Sequence, residues 1–228
     1  MKLFTSGFLP RKLPGLVLLS RRISDSTVRR LSHYLRVLEL IRDDGRITVS
    51  SEQLALRGHT TAAQVRKDLS HFGSFGKRGL GYSVGELRDR LRVILGLDQV
   101  WPVILVGAGR IGSALFEYPD FKKRGYDCVA IVDKDPQKIG ERWGDRVIHP
   151  AEELESLIKR LGATLVILAV PASAAQSVAE RSVNAGVRGI LNFAPVQIQV
   201  PEGIPVENVN LVMELEALSF QITRALKT

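Results

Sequence analysis

Cysteine and long hydrophobic runs are scarce in this sequence. One cysteine among 228 residues excludes a disulfide within the chain and fits a reducing compartment, so we predict a cytoplasmic protein. The apolar runs fall well short of the roughly 18 residues that a membrane-spanning helix needs. We therefore expect no membrane partner, and we also predict no bound metal ion.

Positive charge is concentrated in the first part of the chain. The sequence has 32 Lys and Arg against 24 Asp and Glu, a formal net charge of +8. Residues 1–95 hold 18 basic and 8 acidic side chains, or +10, which leaves 14 basic and 16 acidic, or −2, for residues 96–228. The basic front part favours a polyanionic partner.

The front part also has the pattern of a helix-turn-helix. Helical spacing of apolar residues predicts an amphipathic helix over 26–44, and spacings typical of capping boxes open two further helices at Ser50 and Thr61. The third helix has an apolar stripe and an opposite face suited to phosphates and base edges. The alternative is a three-helix bundle with a solvated polar face. The residues that we predict to contact DNA from this helix are Gln64, Arg66, Lys67 and Ser70, and the apolar face of the first helix comprises Val28, Leu31, Leu35, Leu38 and Ile41.

A glycine-rich segment follows the third helix. Residues 73–82 alternate glycine with aromatic and basic residues, which predicts a β-hairpin with a basic tip. Lys77 and Arg78 lie at this tip, so we predict a wing that contacts the DNA backbone or minor groove. The alternative is a flexible surface loop.

From Val103 onward, short apolar runs alternate with helical segments, which predicts a doubly wound parallel sheet. The first run ends in a G-x-G-x-x-G turn whose backbone suits a pyrophosphate. Asp133 ends the next strand, 21 residues after the last glycine, where a carboxylate contacts an adenosine ribose. Since Asp133 would repel a ribose phosphate, we predict NAD rather than NADP. The predicted cofactor residues of the turn are Gly107, Ala108, Gly109, Arg110, Ile111 and Gly112.

The rest of the chain offers little for catalysis. His149 is the one histidine of the nucleotide domain, and we place it in a loop before Pro150. Strand-ending loops at Pro171 and Pro195 lie at the carboxyl edge of the sheet, where they either flank a nicotinamide ring or simply end strands. A last helix carries an apolar seam, which predicts either a dimer contact or packing on its own domain. The seam consists of Leu211, Leu215, Leu218, Ile222 and Leu226.

The whole pattern resembles Rex, the redox-sensing transcriptional repressor family. The resemblance runs from about Ser26 to Ala225. It is carried by Val28–Leu31, Tyr34–Arg36, the stretches AQVRKDLSHFGSFGKRGLGY and VGAGRIGSAL, Tyr118–Pro119, DKDPQKIG and GILNFAP. The resemblance implies an α/β chain with a winged-helix DNA-binding domain (25–96), a Rossmann NAD(H)-binding domain (97–207) and a C-terminal dimerisation helix exchanged between subunits (208–228). We expect residues 1–24, which lie outside the family pattern, to be a loose extension and not a functional address.

The resemblance also implies residue roles and a function. Operator DNA would be bound by a homodimer when NADH is scarce and released when NADH binds, with NAD⁺ as competitor. Tyr118 resembles a cofactor residue that, with Arg36, couples the cofactor pocket to the DNA-binding domain. The family has an aspartate just before the last helix, whereas this sequence has Asn210 there, which removes the acidic partner expected for Arg36.

Two other classes of protein compete with this interpretation. One is an NAD-dependent dehydrogenase with a basic appendage. The other is a regulatory module that binds coenzyme A or another adenine nucleotide and no DNA. We predict a protein that is not an enzyme.

Overall fold

The computed structural model of the chain describes residues 23–77 and 79–226, and it divides into two compact units, residues 1–98 and 99–228. The predicted extension 1–24 lies outside the described residues except for its last two. In the first unit the elements are α1 (Asp25–Asp43), β1 (Thr48–Val49), α2 (Ser51–Arg57), α3 (Ala62–Ser70), β2 (Gly76–Lys77), β3 (Gly81–Ser83) and α4 (Val84–Ile94).

The helices of the first unit begin where the sequence predicts. Ser24 caps α1, and Ser50 forms a full capping box with Gln53 at the start of α2. Thr61 caps α3, but the side chain of Gln64 does not complete the box, because it binds elsewhere. Val28 is 42% exposed, contrary to our prediction. It lies at the edge of the buried stripe of α1, and Thr27 takes the central position instead.

The short strands of the first unit form one antiparallel sheet in the order β1-β3-β2. The predicted hairpin is therefore present as β2 and β3, and β1 joins its outer edge. Gly81 has φ +77°, and a Cβ atom there would lie 2.5 Å from the carbonyl oxygen of Val49. Glycine is needed at this position because the two strands approach so closely.

The second unit contains a mostly parallel sheet in the order β10-β9-β8-β4-β5-β7-β6, in which β6 alone is antiparallel to its neighbour. Its elements are β4 (Trp101–Val106), α5 (Arg110–Phe116), α6 (Pro119–Lys123), β5 (Tyr126–Asp133), β6 (Arg142–Trp143), β7 (Arg146–Pro150), α7 (Leu154–Leu161), β8 (Leu165–Leu168), α8 (Ala172–Asn184), β9 (Gly189–Asn192), β10 (Val206–Asn208) and α9 (Leu211–Ala225).

Helices pack on both faces of this sheet. One buried cluster joins α7 and α8 to alternate strand residues such as Ile104 and Val166, and a second joins α5 and α6 to the intervening residues such as Leu105 and Ile167. The predicted doubly wound architecture is thus confirmed. Our placement of His149 in a loop is wrong, since His149 belongs to β7 and pairs there with Val132 of β5. The short polar sequence around it hid a strand that is buried mainly at Ile148.

The C-terminal helix α9 is exposed along its whole length. Its seam residues Leu215 and Leu218 are 63% and 51% exposed, so packing of this seam on its own unit is contradicted. Among the described residues, none of the helices combines the length and the apolar character that crossing a bilayer requires.

Candidate nucleotide site and nucleic-acid interface

The glycine-rich turn joins the end of β4 to α5 and depends on two of its glycines. Gly107 has φ +102°, and a Cβ atom on it would overlap the carbonyl oxygen of Ala169. A Cβ atom on Gly112 would overlap the carbonyl oxygen of Gly107, which means that α5 packs directly on the turn. Both positions accept glycine alone without a shift of backbone.

The outer side of the turn is open. Around Gly109 there is space where a side chain could stand, and Arg110 and Ile111 are exposed. The first amide groups of a helix have no partner within that helix, so those of α5 are available to an anion. The structure therefore brings the six predicted turn residues together around a surface that suits a pyrophosphate.

Asp133 contacts the turn directly. Its Oδ2 atom accepts a hydrogen bond of 2.6 Å from the backbone N–H of Ala108, and its Oδ1 atom accepts one of 2.8 Å from the N–H of Asp135. The residue is 9% exposed. The ammonium of Lys138 lies 3.7 Å from carboxylate oxygens of both Asp133 and Asp135. A carboxylate has about four acceptor positions, so Asp133 keeps capacity for a ribose hydroxyl.

Asn192 organises a loop at the carboxyl edge of the sheet. It is fully buried at the end of β9, where its amide donates to the carbonyl of Val196 and to Asn208 and its oxygen accepts from the N–H of Ala194, all within 3.0 Å. After the neighbouring strand β8, Pro171 occupies the N-cap position of α8 without a side-chain capping bond. The loop after β9 is thus held in one conformation by a side chain that sequence analysis did not single out.

Tyr118 lies apart from the turn, beyond the far end of α5. It occupies the N-cap position of α6 without a side-chain capping bond, and its ring packs edge-on against Phe121 at 5.3 Å between centroids. Both rings line a mainly apolar cavity of about 530 Å³ on the face of the sheet that carries α5 and α6. Cys128 also lines it, and burial raises the pKa of this thiol to about 11, in keeping with a structural role.

The exposed face of α3 holds fewer available groups than its sequence indicates. Lys67 is exposed, and its ammonium makes no hydrogen bond or ion pair with the described residues. The Ser70 hydroxyl donates to the carbonyl of Lys67 at 2.7 Å, as serine often does inside a helix. The Gln64 amide donates to Asp68 at 2.7 Å and so points back into the unit.

Arg66 is tied to the start of α2. Its Nη1 atom donates to the Ser51 hydroxyl at 2.7 Å and to the Glu52 carboxylate at 3.2 Å, while 56% of its side chain stays exposed. The backbone hydrogen bond and the bond with Ser50 are the main causes that hold the pKa of Glu52 below its usual value, and the bond from Arg66 adds to them. Since exposed ion pairs contribute little free energy, Arg66 can exchange this partner for a phosphate.

The remaining predicted residues are only partly described. Lys77 belongs to β2, but its side chain and Arg78 lie outside the described structure. Arg36 is exposed on α1, and Asn210 caps α9 by accepting from the N–H groups of Val212 and Met213. Asparagine is a good N-cap, so position 210 has a local role without a negative charge. The coupling roles of Arg36, Tyr118 and Asn210 stay predictions.

Two family models match the chain: "Putative DNA-binding protein N-terminus" over residues 22–70 and "CoA binding domain" over residues 98–196. The redox-sensing transcriptional repressor Rex of Carboxydothermus hydrogenoformans is 46% identical over 203 residues, which cover 89% of this chain and 98% of that protein. Rex 1 of Thermotoga maritima is 43% identical over 207 residues, or 90% of this chain and 99% of its own. The chain belongs to the Rex family.

Solved Rex structures share this architecture. A structure of RSP, a Rex-family repressor, has a TM-score of 0.83 at 35% identity and covers 90% of this chain and 96% of its own. RSP in complex with β-NAD⁺ and operator DNA has a TM-score of 0.86 at 36% identity, with 90% and 94% covered. The fold predicted from the Rex resemblance is thereby confirmed.

In this Rex-family chain, sequence analysis missed Asp68. It is 1% exposed on α3, among residues predicted to face DNA. A signal was present in the spacing, because Arg30 and Tyr34 lie four residues apart on α1, as Gln64 and Asp68 do on α3. Two such pairs on facing helices predict one polar cluster.

Proposed function

We propose that this protein is a transcriptional repressor that senses the NADH/NAD⁺ state, binding operator DNA in the cytoplasm when NADH is scarce and releasing it when NADH binds. The observation that carries the proposal is the match over 90% of the chain to a Rex-family repressor solved with β-NAD⁺ and operator DNA, and also with β-NADH. A helix-turn-helix with a hairpin and an open glycine-rich turn in one chain support it.

Operator binding rests on α3 and the hairpin. Lys67 and Arg66 contact DNA in the major groove, with Ser70 beside them, whereas Gln64 stays bonded to Asp68. Lys77 and Arg78 on the wing contact the backbone. A basic first part of the chain supplies the long-range attraction, so affinity falls as salt concentration rises.

NADH binding rests on the turn between β4 and α5. Backbone amides of the turn hold the pyrophosphate, as the cradle around Gly109 allows, and Asp133 accepts from the adenosine ribose. Its charge disfavours a ribose phosphate, so NADH is preferred over NADPH. NAD⁺ differs by a positive charge on the nicotinamide ring, which apolar surroundings disfavour because desolvating a charge is costly.

The two ligands oppose each other through the arrangement of two subunits. Operator half-sites lie about 34 Å apart, or one helical turn, so the two recognition helices must match this spacing. When NADH favours another arrangement, the match is lost. By linkage, operator DNA then weakens NADH binding by the same factor as NADH weakens operator binding.

The subunits associate through α9. The seam of this helix is apolar and exposed, as are Met213 and Phe220 on its other side. A second copy is the natural partner for such a surface in a family of repressors that recognise operator DNA. The apolar cavity beside Phe121 offers a surface of matching chemistry in the same unit.

The test is a mobility shift with the operator duplex of the solved complex, titrated with NADH and separately with NAD⁺. We expect the protein to bind the duplex, NADH to release it, and NAD⁺ to compete with NADH. Equal NADH affinity with and without operator would overturn the scheme of coupled binding. Turnover of alcohols or hydroxy acids in a steady-state assay would instead support a dehydrogenase, which we do not expect.

The match to the CoA-binding model favours coenzyme A as a second candidate ligand. The same mobility shift, titrated with coenzyme A as well, decides between NADH and coenzyme A. Release of operator by coenzyme A and not by NADH would replace our proposal.

A further inference from the structure

A buried carboxylate joins the recognition helix α3 to α1. Asp68 is 1% exposed, and each of its oxygens accepts two hydrogen bonds. Oδ2 accepts from Arg30 Nε at 2.6 Å and from the Tyr34 hydroxyl at 2.9 Å, and Oδ1 accepts from Arg30 Nη2 and Gln64 Nε2, both at 2.7 Å. The four acceptor positions of the carboxylate are therefore filled.

The cluster keeps Asp68 ionised. Burial by itself disfavours the charge, but the bonds from Arg30, Gln64 and Tyr34 outweigh it, so the pKa of Asp68 lies below its usual value. Burial and the bond to Asp68 together raise the pKa of Tyr34 to about 12. Such a buried pair adds little net stability compared with apolar residues of the same volume. Its directional bonds fix geometry instead.

The geometry that it fixes is the rotation of α3 about its own axis. Asp68 directly follows Lys67, and Arg66 and Ser70 lie two residues away on either side. The outer radius of a helix with its side chains is about 6 Å, so a rotation of about 20° moves a group at that radius by about 2 Å. A shift of that size exceeds what a hydrogen bond to a base edge tolerates.

We propose that Asp68 is a positioning residue for operator recognition: by bonding Arg30, Tyr34 and Gln64 it sets the orientation in which α3 presents Lys67 and Arg66 to DNA. The inference rests on the proposed DNA-binding function. It assigns Gln64 to the same cluster, so that Gln64 acts through Asp68 and not by reading a base.

This role separates two kinds of DNA binding. Removing the negative charge of Asp68 strengthens the electrostatic attraction to any duplex, because the unit becomes more basic. Loss of the fixed orientation weakens recognition of the operator alone. Asp68→Asn therefore moves specific and non-specific affinity in opposite directions, whereas a loss of folding lowers both.

The matched control is Asp89→Asn. Asp89 lies on α4 of the same unit, its side chain is 63% exposed, and it pairs with its neighbour Arg88. The substitution Asp89→Asn removes the same charge without altering the cluster around Asp68. Operator and scrambled duplexes of equal length are compared by fluorescence anisotropy at several salt concentrations, with thermal unfolding followed by circular dichroism.

We expect Asp89→Asn to keep the ratio of operator to scrambled affinity, and Asp68→Asn to lower that ratio by about tenfold. Tyr34→Phe removes one bond and keeps the ion pair, so we expect a smaller fall, about threefold. NADH affinity stays at the wild-type value in all three variants. If Asp68→Asn does not fold, the Tyr34→Phe ratio decides.

An unchanged ratio in both Asp68→Asn and Tyr34→Phe overturns the positioning role. An unchanged ratio in Tyr34→Phe alone does so when Asp68→Asn is unfolded. A wild-type protein that prefers neither duplex overturns the proposed DNA-binding function itself, which is a separate failure.

Discussion

Truncation of one seam residue of α9 tests the proposed dimer. Leu215→Ala removes three carbons from a side chain that is 63% exposed in the single chain. Burial of three carbons stabilises by about 2.4 kcal/mol, or about 1.5 kcal/mol for the exposed fraction. Since a two-fold dimer contains the residue twice, we expect a loss of about 3 kcal/mol, which is a dissociation constant raised about 150-fold.

Sedimentation velocity over a dilution series measures this constant. Gln221→Ala is the control, because it shortens an exposed side chain of the same helix outside the apolar seam. Thermal unfolding of the variant at low concentration should match the wild type, since none of the residues of α9 is buried in the single chain. A dissociation constant for Leu215→Ala that equals that of Gln221→Ala would refute the assignment of the seam to the subunit interface.

Four further changes test the two binding sites and the folded state. Lys67→Ala should weaken binding to all duplexes and reduce the salt slope of DNA affinity by about 1, while NADH affinity is kept. Asp133→Ala should weaken NADH binding and leave DNA binding unchanged. Both ligands are titrated against both variants, and two variants that affect the same ligand would contradict the assignment of two separate sites. Gly112→Ala should abolish NADH binding, checked by calorimetry, because its Cβ atom would overlap the Gly107 carbonyl. The pKa of Asp68 is lowered in the folded protein, so the stability that its charge contributes is complete above the ordinary pKa of 3.8 and is lost as the pH falls through the folded pKa. Urea unfolding between about pH 5 and pH 2.5 should therefore show a steeper fall in the free energy of unfolding for the wild type than for Asp68→Asn.

Most of the fold could be predicted because local signals agreed with each other. Capping residues marked the starts of α2 and α3, and the turn at Gly107 stood between a strand and a helix as the motif requires. The strand β7 was missed because only Ile148 of its five residues is fully buried, which leaves no clear apolar run. Burial patterns set by neighbours in the sheet are not visible in a short window of sequence.

The sequence could predict where the candidate site residues lie, but not which partners their side chains bind. Gln64 fitted an exposed face by helical spacing, yet its amide bonds Asp68, whose burial depends on Arg30 from a helix 38 residues earlier. Asp133 was placed correctly at the end of β5. Its bond to Ala108 follows from the adjacency of β4 and β5, which the pattern of one strand does not encode.

The hydrogen bond between Asp133 and Ala108 limits which substitutions could change the cofactor preference of this protein from NADH to NADPH. The usual route replaces the acidic residue at this position with a neutral one so that a phosphate is accepted. Here the same carboxylate accepts a hydrogen bond from the turn that we propose to hold the pyrophosphate, so we expect its removal to weaken the binding of both cofactors. A change of cofactor preference would start instead at Lys138 and at the turn of Asp135, where the charge can be altered while the hydrogen bond between Asp133 and Ala108 is kept.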